Sequence, residues 1–191
     1  MDPRIRRTKE AIIDAFLELL TSKNFNDISV SDITTKAQIA RPTFYLHYKT
    51  KQILLSEYLD VIFESYLKEI QPVLEKHDQH VLSIALFNQV KRNASYLRSL
   101  MSGDAAIIIQ NTLHEYIRQV FGMLLQAQLG EQSKLVSKDT QKFIIAVVAG
   151  SAYALTQEWL KEDMQHDPEY MGKLLFTLSR PGIIALLQKG V

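Results

Sequence analysis

The residues of this chain best suited to chemistry lie between positions 41 and 51. Arg41, Pro42, Thr43, Tyr45 and His47 crowd one short stretch, followed by Tyr48, Lys49 and Lys51. A guanidinium can donate two parallel hydrogen bonds to a guanine edge, and a hydroxyl or imidazole can bond to other bases. Tyrosine hydroxyls and lysine ammonium groups reach phosphate oxygens. A segment this short cannot bury so many polar groups, so some face solvent or a polyanion. The same side chains also suit an ordinary solvated helix face, and composition leaves both readings open.

The elements that would position these residues are short. Ser29 and Asp32 form a capping pair for a first amphipathic segment carrying Val30, Ile33 and Ala37. A turn follows at Gln38-Ile39-Ala40, and a second segment carries Phe44, Tyr45 and Tyr48, with Pro42 where its missing N–H costs little. This is the layout of a helix-turn-helix, whose second helix lies in the DNA major groove.

The run RRTKEAIIDAF at 6–16, then Phe25, Ile28, Ile33 and Ala37, then TFYLHYKTK at 43–51 and Leu54-Leu55, resembles the DNA-binding domain of tetracycline-repressor (TetR) family regulators. The resemblance implies an all-α protein, with a three-helix DNA-binding head over residues 1–50 and a helical effector-binding and dimerisation body over 51–191. It implies that Arg41, Pro42, Thr43, Tyr45 and His47 line the groove, that Lys51 meets phosphate, and that Phe44 and Tyr48 are head core. Two positions depart from the family pattern. Gln38 stands where the family usually has a turn glycine, and Ala40 where it has a capping Ser or Thr. They predict a strained turn and an uncapped second helix.

Charge follows the same division. Residues 1–51 hold nine Lys/Arg against six Asp/Glu, and the remainder thirteen against fifteen. A basic head on a mildly acidic body fits DNA contact confined to the head. Arg4, Arg6, Arg7 and Lys9 suggest a basic arm. There is no cysteine, hence no disulfide or thiolate metal site. His77 and His80 lack a third ligand and read as a polar loop. A phosphate loop, an HExxH motif and a cysteine nucleophile are all absent, so neither catalysis nor a cofactor or metal is expected. The longest apolar run, Phe143 to Leu155, is shorter than the roughly twenty residues that span a bilayer, and no signal peptide opens the chain. A cytoplasmic location is expected.

Helical spacing predicts helices over residues 4–22, 51–75, 80–92, 93–101, 105–129, 138–164 and 167–189. Asn24 is expected in a left-handed cap, Pro72 to kink the end of its helix, and Pro181-Gly182 to break or kink the last one. NASYLRSLM at 93–101, Trp159-Leu160 and Asp167-Pro168-Glu169 are similar to the Firmicutes-type C-terminal domain of the family, which includes dihydroxyacetone kinase operon regulators.

The expected function is a transcriptional repressor that binds a palindromic double-stranded DNA operator as a homodimer and is released by a small molecule. Control by a protein partner is the alternative. Tyr66, Phe87, Tyr96, Met101, Ile108, Thr112, Tyr116 and Trp159 are the candidate pocket, and Gly150, Ala154, Leu175 and Leu178 the candidate dimer interface. No Arg or Lys is among these pocket positions, which points to an apolar or weakly polar effector.

Overall fold

Apolar residues recur at helical spacing along the whole chain, and the fold is helical accordingly. A computed structural model describes residues 2–74, 79–101, 103–129 and 137–189. The described elements are α1 (Pro3–Leu20), a 3-10 turn (Phe25–Asp27), α2 (Val30–Lys36), α3 (Arg41–His47), α4 (Lys51–Leu74), α5 (Gln79–Arg92), α6 (Ala94–Leu100), α7 (Gly103–Leu129), α8 (Lys138–Lys161) and α9 (Pro168–Lys189). They group into two units, one of residues 1–62 and 93–109, the other of 63–92 and 110–191. The boundary drawn at residue 50 therefore falls within the first unit.

Capping side chains set many of the helix starts. Asp2, Ser29 and Ser137 accept N–H bonds from the first turns of α1, α2 and α8. Thr50 Oγ1 accepts from Ile53 N at 3.2 Å, and Asp167 Oδ1 from Tyr170 N at 2.7 Å. Asn24 departs from expectation, with extended backbone (φ −67°, ψ 150°) leading straight into the 3-10 turn. Arg4, Arg6 and Arg7 lie on the opening turns of α1 rather than on an extended arm.

α4 runs through Pro72 and α9 through Pro181, so the last helix is not broken at its proline. An internal proline removes one bond and crowds the preceding turn, costing about 3 kcal/mol. In α9, Leu175 and Phe176 before the proline and Ile183 and Ile184 after it all line one cavity. α8 instead stops three residues early. Asp163 and Met164 take left-handed backbone (φ 53° and 54°), and Met164 N bonds to Trp159 O at 2.9 Å.

In the second unit α5 and α9 pack closely. A Cβ at Gly172 would lie 2.5 Å from the Ile84 backbone, so only glycine permits this approach. Phe87 and Trp159 meet edge-to-face at 5.6 Å beside Met171 and Leu175. α8 is long and apolar enough, by length and composition, to cross a membrane, and 39% of that stretch is buried in the fold.

Candidate nucleic-acid interface

α3 is held by its apolar side. Phe44 is fully buried and packs 5.8 Å from the ring of buried Tyr48. Around them Ile12, Phe16, Leu20, Phe25, Ile33 and Leu54 are buried in the same unit. The Ser29–Asp32 capping box is complete, with Ser29 N donating to Asp32 Oδ2 at 2.8 Å and Asp32 N to Ser29 Oγ at 3.1 Å. These Ser29 bonds, with Lys23 adding to them, hold the Asp32 carboxyl well below its ordinary pKa. Both predicted weak points are present: Gln38 is left-handed (φ 54°), and Ala40 gives α3 no side-chain cap.

With Phe44 and Tyr48 inward, α3 turns Arg41, Pro42, Tyr45 and Leu46 to solvent, while Thr43 and His47 are half-buried. Arg41 lies against Tyr45 one turn on, donating to its hydroxyl at 3.3 Å with the guanidinium carbon 5.8 Å from the ring centre. Together the guanidinium and the phenol hydroxyl can meet base edges or phosphate. Leu46 was missed from sequence. It is 82% exposed, an unusual position for a leucine in a packed head, and an apolar side chain there can meet a thymine methyl. The signal was available, since Leu46 falls between the inward Phe44 and Tyr48.

Lys51 requires a correction. Its ammonium donates to the carbonyls of Phe25 (2.6 Å), Asn26 (3.1 Å) and Ile28 (2.7 Å), and sits 4.6 Å from the Phe25 ring centre. All three donors are thus spent on the 3-10 turn, and none is left for phosphate. Burial draws its pKa down, while Asp104, Asp27 and Asp32 act to raise it. Lys49, exposed beside α3, is the lysine free to reach a backbone. Tyr48 needs a similar correction to its hydroxyl, which is buried without a hydrogen-bond partner and cannot reach DNA. Burial, with Glu57 nearby, pushes its pKa up to about 12.

The candidate pocket residues scatter. In the first unit, Tyr96 bonds to Tyr58 and Asn93, and Met101 caps α6. Ile108 belongs to that unit too. Phe87 and Trp159 are packed core, and Tyr116 stacks on Phe63 at 3.8 Å. Thr112 is half-buried on α7 and lines no described cavity. Only Tyr66 of the eight lines the second unit's cavity of about 240 Å³, whose walls come from α4, α5, α7, α8 and α9. Most of the aromatic residues chosen from sequence pack against other rings, and different residues, among them Leu82, Leu86, Val120, Phe121 and Phe176, surround the space. His77 lies outside the described residues, and no metal-binding cluster occurs among the described ones.

Of the interface candidates, Leu175 is 3% exposed and lines that cavity, so it is unavailable to another chain. Leu178 is 67% exposed, and α8 exposes Phe143, Val147, Gly150 and Ala154 along one side. A Cβ at Gly150 would touch nothing within 4 Å.

Residues 12–58 match the family described as bacterial regulatory proteins, tetR family, and residues 78–181 match its transcriptional regulator C-terminal region. The chain is 48% identical over 56 residues to an uncharacterized HTH-type transcriptional regulator, YxbF, of Bacillus subtilis, a match covering 29% of this chain and 15% of that protein. It is 24% identical over 177 residues to the putative mycofactocin biosynthesis transcriptional regulator MftR of Mycobacterium tuberculosis, covering 86% of each. Among solved structures, the dihydroxyacetone kinase operon activator DhaS superposes with a TM-score of 0.60 at 22% identity, over 93% of this chain and 96% of that one.

Proposed function

This chain belongs to the tetR family of bacterial regulatory proteins, and from that premise we propose that it represses transcription by binding a palindromic operator as a homodimer, until a small molecule fills the second unit's cavity. It is a DNA-binding transcriptional regulator and not an enzyme. The observation that carries the reading is the division of α3, with Phe44 and Tyr48 anchoring one side and Arg41, Tyr45 and Leu46 presented on the other. Residues 1–50 serve as the DNA-binding domain. Arg41, Pro42, Thr43, Tyr45, Leu46 and His47 read bases, and Lys49 meets phosphate.

A single head reads too few base pairs for useful specificity, whereas paired heads about 34–36 Å apart read two half-sites. The exposed apolar side of α8, with Leu178 on α9, supplies a face for the second copy, and the bare backbone at Gly150 lets it approach closely. Covered in this way α8 has no need of a membrane, and the protein acts in the cytoplasm. An effector releases the operator only through unequal affinity for DNA-competent and DNA-incompetent states; reversing a 1:99 balance takes roughly 5.5 kcal/mol. The cavity favours a small molecule over a protein partner as the agent. Operator selection from random duplex, followed by binding with and without candidate effectors, tests the proposal. Recovery of no palindrome would overturn it.

A further inference from the structure

The cavity of the second unit is apolar along most of its wall, but among its described lining residues one is charged, Arg180. α9 presents Phe176, Ser179, Arg180 and Ile183 to it, the spacing that aligns side chains on one side of a helix. Arg180 is itself exposed, so it stands where the cavity opens to solvent. Its guanidinium carbon rests 5.3 Å from the centre of the Phe176 ring, which orients the planar donor fork. Among the described residues no carboxylate pairs with it. The expectation of a neutral effector rested on the absence of any Arg or Lys from the pocket, and Arg180 removes that ground.

Resting on the reading of this cavity as the effector site, we infer that its ligand is an amphipathic anion, a single apolar chain ending in a carboxylate. The chain lies among Leu82, Leu86, Val120, Leu124 and Ile183, and the carboxylate meets Arg180 at the mouth, with the Ser179 hydroxyl beside it. A carboxylate accepts two parallel N–H bonds from a guanidinium, and such charge-assisted pairs are stronger than neutral ones. A neutral ligand of equal length fills the same apolar space, gains no such pair and displaces part of the guanidinium's water. Size narrows the class further. At about 240 Å³ the cavity lies just below the usual range for ligand sites, which suits one chain inside it.

The test is calorimetric titration of the full chain with decanoate and with 1-decanol, for the parent, Arg180→Ala, Arg180→Lys and Val120→Trp, alongside operator binding by fluorescence anisotropy. Arg180 is exposed, so its variants keep the fold, as circular dichroism will verify. Decanoate should bind the parent and release operator. Arg180→Ala should lose roughly tenfold to a hundredfold of decanoate affinity, with Arg180→Lys recovering part and decanol indifferent to both. Val120→Trp, which fills the cavity, should bind neither compound. Decanol binding the parent as tightly as decanoate, or decanoate indifferent to Arg180→Ala, overturns the anion inference and leaves the effector site standing. Decanoate that binds through Arg180 without releasing operator upholds the ligand class and overturns the effector reading. No binding of either compound overturns both.

Discussion

Two residues of the head carry their importance in atoms that sequence patterns do not display. Lys51 occupies a position where family resemblance implies a phosphate contact, yet its three N–H bonds close the carbonyl end of the 3-10 turn. Lys51→Met should therefore lower the head's stability by about 2 kcal/mol or more, since hydrogen bonds to a charged group are worth about 1.5–3 kcal/mol each. The salt dependence of DNA binding by the folded variant should stay as in the parent. Chemical denaturation and a salt titration check this; a folded, equally stable variant with a reduced salt slope would restore the phosphate role. Tyr48 presents the opposite case, a buried hydroxyl with no partner. Tyr48→Phe removes an unpaid desolvation cost and should raise stability by about 1 kcal/mol at neutral pH. Because the folded pKa lies above the unfolded value of 10.0, ionisation of this phenol leaves stability unchanged below that pH, and stability falls as pH rises from there towards 12. The phenylalanine variant should accordingly resist alkaline unfolding better than the parent, as denaturation followed against pH will show.

The elements were largely legible because caps and apolar periodicity are local. Ser29, Thr50 and Asp167 mark helix starts by a side-chain oxygen placed for a backbone N–H, and each was readable from its neighbours alone. Pro181 was less legible. Local chemistry allows a break or a kink, and the helix continues through it with residues on both sides lining one cavity. The pocket was illegible in the same way, since a stripe of aromatic residues does not reveal whether its rings pack on each other, as Phe63 and Tyr116 do, or surround a space. Gly172 is another contact that sequence conceals, with the Ile84 backbone where a side chain would be. Gly172→Ala forces α5 and α9 apart and should cost about 1–3 kcal/mol despite alanine's better helix propensity. A thermal melt showing the variant as stable as the parent would contradict so close an approach.

At the scale of the chain, the proposed DNA-reading helix is accompanied by exposed apolar residues on α8 and α9. Phe143, Val147 and Leu178 are each more than 60% exposed. A Cβ at Gly150 meets nothing within 4 Å, so Gly150→Phe should leave the fold intact and yield monomers in sedimentation at micromolar concentration, whereas the parent should sediment as a dimer. A monomeric parent would remove the basis for paired half-sites. The central claim concerns α3, and the most direct test is anisotropy binding of a selected operator, across a salt series, by the parent, Arg41→Ala and Lys49→Ala. Arg41→Ala should lose about 1–3 kcal/mol on that operator and relax preference at one base pair, while Lys49→Ala weakens all sequences alike and lowers the salt slope by about one. If Arg41→Ala binds the operator with the parent's affinity and base preference, α3 is not the reading helix.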